Sequence, residues 1–269
     1  MRKVYNVLLA ISTCFVFITA VDVKAQVVTA GLKSYNAKYV SLPPIIDGIV
    51  NDSAWSQGYW ESDFEDIEGG VKPKPKLSTQ FKILWDSNYL YVAAYLKEPD
   101  LWATKMNRDD IVYYDNDFEL FLDPNNDGEN YFEFEVNVLG TLMDLLMTKP
   151  YKKGGTYSLK WNADAIKYAV FPHGTINNNT DIDKGWSIEM AIPFKNFKIG
   201  DRNYLPNTNI PWRLNFSRVE WMLLKQNNSY TKKLNTLNKP VSEFNWVWAP
   251  TGIIDIHVPS KWGNLYFIK

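Results

Sequence analysis

Apolar and polar side chains alternate along much of this chain, most regularly between residues 115 and 137, DNDFELFLDPNNDGENYFEFEVN. Successive side chains of a strand point to opposite faces. Even positions supply Phe118, Leu120, Leu122, Phe132, Phe134 and Val136. Odd positions supply Asp117, Glu119, Phe121, Asp123, Tyr131, Glu133, Glu135 and Asn137. The pattern predicts a hairpin with one core face and one acidic, aromatic face. A second hairpin is predicted from TQFKILWD (79–86) and NYLYVAAYLKE (88–98), around a tight Asp-Ser-Asn turn.

Further strands are expected in GTLMDLLMT (140–148), NADAIKYAVF (162–171), GWSIEMAIPF (185–194), PWRLNFSRVEW (211–221) and the closing NLYFIK. Helical signals are few. NDSAWSQ (51–57) suits two turns capped by Asn51 or Asp52, and PFKNF (193–197) suits one. Many short strands between turn signals predict an all-β fold, an antiparallel β-sandwich of jelly-roll or immunoglobulin-like type with one or two short helices. Three long polar loops, 68–76, 149–160 and 224–240, are of the kind that border a site on such a scaffold, or are tolerated insertions.

The first 25 residues stand apart. Arg2 and Lys3 precede an apolar run from Val7 to Ala20, and Val23-Lys24-Ala25 ends in a small residue. This is the pattern of a secretory signal peptide cleaved after Ala25, leaving residues 26–269 as a single exported domain, periplasmic or secreted. Cleavage removes Cys14, the sole cysteine, so the exported domain holds no disulfide and relies on its core. It also removes three basic residues and one acidic residue, leaving 26 basic and 29 acidic, a net charge of about −3. That balance argues against nucleic acid or an anionic membrane as partner. With two histidines, His173 and His257, and no cysteine, zinc is not expected.

Several chemistries fit the acidic face. Glu119, Glu133 and Glu135 fall at spacings that would serve a glycoside hydrolase of the endoxylanase kind, because strand repeats put carboxylates within the distances such enzymes use. Nothing in the sequence splits their pKa values, which that mechanism needs. Asp123, Asn125 and Asp127 follow the first half of a calcium loop, but the twelfth position is Phe134, so a plain hairpin turn stands beside structural calcium. His257 with Met147 or Met190 would be the ligands of a haem-binding sandwich domain. Sugar binding uses flat aromatics and directed hydrogen-bonding groups, and the 11 Trp and 16 Tyr supply the former.

The motifs PIIDGIVNDSAW (44–55), LWDSNYLYVAAYLKEPDLW (84–102), DNDFELFLDPNNDG (115–128), YFEFEVNVLGT (131–141), GWSIEMAIPF (185–194) and PSKWGNLYFIK (259–269) resemble carbohydrate-binding module family 9 in order and spacing. TKPYKKGG, Trp161-Asn162, NFSRVEW, WVWAP and IHVPSKWG are similar to the stand-alone family-9-like proteins of bacteria. The resemblance implies a β-sandwich, often with bound calcium, that holds an oligo- or polysaccharide without cleaving it, requires no cofactor and cooperates with separate glycoside hydrolases. Glu119 stands where the family uses a glutamate on sugar hydroxyls, and Asn137 matches a binding asparagine. Glu135 replaces a binding arginine. The two tryptophans that sandwich the sugar in the founding modules fall near Tyr113 and near Ile256 or His257. Trp161 with its neighbour Asn162, Trp221 or Trp248 are expected, on their own chemistry and not from the family pattern, to supply replacement platforms, and Arg218 is expected to hold the carboxylates in place. Trp55 is assigned to packing.

Overall fold

In the computed structural model, which describes residues 31–269, the alternating segments become strands of one large sheet. The expected signal peptide lies outside the described residues. Residues Leu32–Lys269 form one compact unit. In chain order the first strands are β1 (Ser34–Tyr39), β2 (Glu65–Asp66), β3 (Thr79–Trp85), β4 (Tyr89–Leu96), β5 (Asp117–Asp123) and β6 (Tyr131–Asn137). They continue with β7 (Leu142–Met147), β8 (Tyr157–Ser158), β9 (Lys167–Pro172), β10 (Trp186–Pro193), β11 (Lys198–Ile199) and β12 (Arg202–Asn203). The last are β13 (Trp212–Glu220), β14 (Leu223–Gln226), β15 (Ser229–Lys232), β16 (Phe244–Val247) and β17 (Gly263–Ile268).

Hydrogen bonding orders them β8-β7-β6-β5-β13-β17-β1-β3-β4-β10-β9, with β16 on the second half of β13 and β2 beyond it. Small separate ladders join β11 to β12 and β14 to β15. Most pairs are antiparallel as expected, but β1 runs parallel to both neighbours, β17 and β3. The fold is all-β. Among the described residues the helical segments are six short 3₁₀ turns, the longest Ser53–Gln57, and none is long and apolar enough to cross a membrane. Asp52 sits at the N-cap of that longest turn. Its carboxylate accepts Ile45 N–H rather than capping the turn itself.

The sheet curls. Phe132 on β6 meets Phe197, just after β10, at 5.3 Å between ring centres, although these strands lie seven places apart along the path. Phe81 of β3 meets Phe216 of β13 at 4.1 Å. The even side chains of the β5–β6 hairpin join this shared core: Phe118, Leu120, Leu122, Phe132, Phe134 and Val136 are all buried in it. A second cluster covers part of the odd face, where Phe121 and Tyr131 pack against Trp262, Met143, Leu145 and Met147.

Trp55 packs as expected. It is buried, and its Nε1 donates to Glu189 Oε1 at 2.6 Å, while the other oxygen accepts the backbone N–H groups of Asp47 and Gly48. Gly48 has φ +87°, and a Cβ there would stand 2.8 Å from Phe171 N, so the turn needs a glycine to lie against β9.

Candidate functional site

Register sets the acidic face. Glu119 lies opposite Glu135 on β6 and Ser217 on β13; Phe121 lies opposite Glu133, and Asp117 opposite Asn137. Directly opposed side chains on a sheet are near neighbours, so this pairing forces carboxyl groups together. Above them a hollow of about 380 Å³ opens to solvent. Glu119, Glu133 and Glu135 form its floor, Tyr113, Tyr151 and Tyr157 supply aromatic walls, and Glu243, Asn245, Ile256 and His257 contribute as well. Among the described residues that line it there is no lysine or arginine.

The carboxyl groups are almost dry. Burial, then the neighbouring Glu133, pushes the Glu119 pKa up to about 8, while Ser217 opposes the shift through a hydrogen bond. Burial and the adjacent acids raise Glu135 well above the carboxylate range, although it also accepts Tyr113 N–H at 3.1 Å. Glu133 is raised by burial, against the opposing pull of His257. Asp117, beneath them, is fully buried and raised well above the usual range by burial and by Glu119. One of its oxygens accepts Val219 N–H; Oδ2 has no partner, and neither has Glu133 Oε2. Burial also lifts Tyr113 and Tyr151 to about 12, so both hydroxyls stay protonated and can donate.

The structure brings together some of the expected site residues and separates others. Glu119, Glu135, Tyr113 and His257 meet at the hollow. His257 Nδ1 is hydrogen-bonded to Tyr131 Oη at 2.9 Å, and its ring stands edge-on to Tyr151 at 4.7 Å. Asn137 does not reach the hollow. It is fully buried, donates to Lys105 O and Asp115 Oδ2, and accepts the N–H groups of Leu139 and Thr141, so it fastens the turn after β6.

Arg218 is a second correction. It projects from the inner face of β13, 1% exposed, to Glu98 at 2.7 Å and Glu220 at 2.8 Å, with further bonds to Thr79 and Lys97 O. It anchors a buried ion network rather than the Glu119 cluster. Trp248 is fully buried in the core, edge-on to Phe81 at 5.4 Å. Trp161 lies over the even face, packed on Phe132 at 4.8 Å, and Asn162 accepts from Arg108. Trp221 lies outside this hollow: its Nε1 donates to Tyr113 O, and Lys232 Nζ sits 3.4 Å from its ring centre. It lines a second, wider depression of about 890 Å³ together with Phe244 and Trp246.

Asp123 accepts the N–H groups of Asn126 and Gly128, and Asn125 Nδ2 donates to Asp127, which is the hydrogen bonding of a polar hairpin turn. Met190 is buried in the main core and Met147 in the cluster beside Tyr131. Sequence reasoning passed over Tyr151 and Tyr157, although the 149–160 loop carrying both stood out as a possible border.

Comparison with known proteins gives this geometry a class. Residues 46–212 match the family described as carbohydrate family 9 binding domain-like. The chain therefore belongs to that family of carbohydrate-binding domains. Endo-1,4-beta-xylanase A of Thermotoga maritima is 28% identical over 240 residues, which is 89% of this chain and 18% of that protein. The same enzyme of Thermotoga neapolitana is 27% identical over the same length. The chain thus spans under a fifth of the curated relatives it matches.

Among solved structures, a putative carbohydrate-binding protein from Bacteroides uniformis superposes with a TM-score of 0.59 at 18% identity, covering 88% of this chain and 99% of that one. A family 9 carbohydrate-binding module from Caldicellulosiruptor kristjanssonii, in complex with cellotriose, gives 0.51 at 18% identity, covering 88% and 94%. At that identity the likeness concerns the fold.

Proposed function

We propose that this protein binds an oligo- or polysaccharide in the Glu119–Glu135 hollow and does not cleave it. The observation that carries this reading is the hollow itself: an acidic, hydrogen-bonding floor set between tyrosine rings, with a volume in the ordinary range for ligand sites. A pyranose ring offers an apolar face to stack on Tyr113, Tyr151 or Tyr157 and a rim of hydroxyls for the carboxyl groups. The two positions that the family resemblance gives to sandwiching aromatics, Tyr113 and Ile256 or His257, both lie in the lining. Cellotriose and glucose, bound by family 9 modules of similar fold, and the matching segment in two endo-1,4-beta-xylanases make glucans and xylans the first ligands to test.

A glycosidase pair needs one acid held protonated and the other ionised. Here Glu119, Glu133 and Glu135 are all shifted in the same direction, upward. We read the curled sheet as a sandwich, the protein as exported to the periplasm or beyond, and its role as support for carbohydrate breakdown by separate hydrolases. Affinity electrophoresis through gels cast with a panel of soluble polysaccharides tests the proposal. Retardation on at least one glycan, lost in Tyr151→Ala and with no new reducing ends released, is the expected result. Release of reducing sugar that stops in Glu119→Gln would replace binding with hydrolysis.

A further inference from the structure

The floor of the hollow is more acidic than sugar binding requires, and its deepest member is out of a sugar's reach. Asp117, Glu119 and Glu135 each offer a carboxylate oxygen within 4.8 Å of the other two, and all three residues are buried. Asp117 does not line the hollow, so no hydroxyl of a sugar seated there explains it. Its Oδ2 is wholly enclosed and has no hydrogen-bond partner. A buried polar atom without a partner is rare in native proteins and calls for an explanation, an ion among them. Arg218, the counter-charge expected from the sequence, is spent on Glu98 and Glu220.

The geometry points to a site for a single hard divalent cation of calcium size, held by Asp117, Glu119 and Glu135 beneath the sugar-binding hollow. The donor set is three carboxylates, which suits an oxygen-seeking cation. Calcium–oxygen distances of about 2.3–2.6 Å put opposite ligands up to about 5 Å apart, which accommodates the observed spread; magnesium shells close at about 4 Å. Water from the hollow above would complete the shell. This site is separate from the Asp123, Asn125 and Asp127 turn, where both carboxylates accept backbone N–H groups and Asn125 Nδ2 donates to Asp127, leaving Asn125 Oδ1 without a partner. It shares Glu119 and Glu135 with the floor assigned to glycan binding, but it needs no glycan to be occupied.

The test is calorimetric titration of the EDTA-stripped mature protein with calcium chloride, followed by thermal unfolding with and without the ion. One equivalent should bind, and calcium should raise the melting temperature by about 3 °C or more at saturation. Asp117→Asn and Glu135→Gln, each a neutral isostere in a crowd of acids, should weaken calcium binding at least tenfold. Asp127→Asn, in the hairpin turn, should leave it unchanged. Should one floor variant fail to fold, the other reads the same site.

Absence of any calcium heat or thermal shift overturns the inference. So does a response that survives both floor variants, whether or not Asp127→Asn abolishes it. Stabilisation by glucosamine hydrochloride but not by calcium would also overturn it, by assigning the counter-charge to an organic ammonium. Glycan retardation measured in EDTA reports on the sugar reading alone, so the two can fail separately.

Discussion

Trp161 illustrates how a single side chain can carry the right chemistry and face the wrong way. Its ring is half-buried against Phe132 and Phe134, on the opposite side of the sheet from Glu119. Trp161→Ala is therefore expected to lower stability by about 2 kcal/mol in urea unfolding, below the full cost of emptying a core aromatic because the ring is only half-buried. Glycan retardation should be unaffected. His173 gives a pH prediction of known sign. Its Nε2 lies 3.1 Å from Ser187 Oγ, and burial, with Lys184 adding to it, lowers its pKa. A histidine whose pKa is depressed on folding binds fewer protons than the unfolded chain, so the contribution of His173 to stability falls as pH drops below about 6.5, against the opposite contribution of the raised floor acids. The melting temperature of His173→Gln, taken relative to wild type, should therefore rise from pH 7 to pH 5.

At this scale the sequence was readable where alternation alone decides a side chain's direction, as for Glu119 and Phe118. It was unreadable where a loop decides, as for Trp161, Trp221 and Trp248. Asn137 follows the alternation, yet its neighbours in space, Lys105 and Asp115, cover it.

Among the elements, the β5–β6 hairpin was legible because both strands and their turn are contiguous and one face is uniformly apolar. β1 was not. Ser34–Tyr39 offers two buried apolar positions, Tyr35 and Ala37, and pairs in parallel with β17 and β3, far along the chain. Parallel partners are joined by no local turn, so no turn signal announces them. The role of β13 was half legible. Its even residues run Trp212, Leu214, Phe216 and then Arg218 and Glu220, so the core stripe ends in charge. Arg218 is met by Glu98, from the segment after β4, and by Thr79 of β3, which ties the two halves of the curled sheet together. Arg218→Met leaves Glu98 and Glu220 buried without their cation. It should cost about 3–5 kcal/mol in urea unfolding. Glu119 and Glu135 lie on the other face of the sheet, so retardation of the folded fraction should persist.

For the molecule as a whole, the hollow is assembled from separated stretches of chain: Ile111 and Tyr113, the β5–β7 strands, the 151–157 loop, Val219, Glu243 and Asn245, and Ile256 with His257. Family resemblance aligned the clamp positions, but only folding brings Tyr151 and Tyr157 beside them. A neutral sugar held by hydroxyl contacts and ring stacking should bind with little dependence on salt, because screening acts on charge–charge attraction. Affinity for the preferred glycan should change by less than about twofold between 0.05 and 0.5 M sodium chloride.

The most direct measurement is a calorimetric titration of the best-retarding oligosaccharide into three proteins: wild type, Tyr151→Ala and Trp161→Ala. A ligand seated against the tyrosines of the hollow should bind wild type and Trp161→Ala with similar affinity and should not bind Tyr151→Ala. Binding that survives Tyr151→Ala and disappears in Trp161→Ala would place the ligand on the other side of the sheet and contradict that seating.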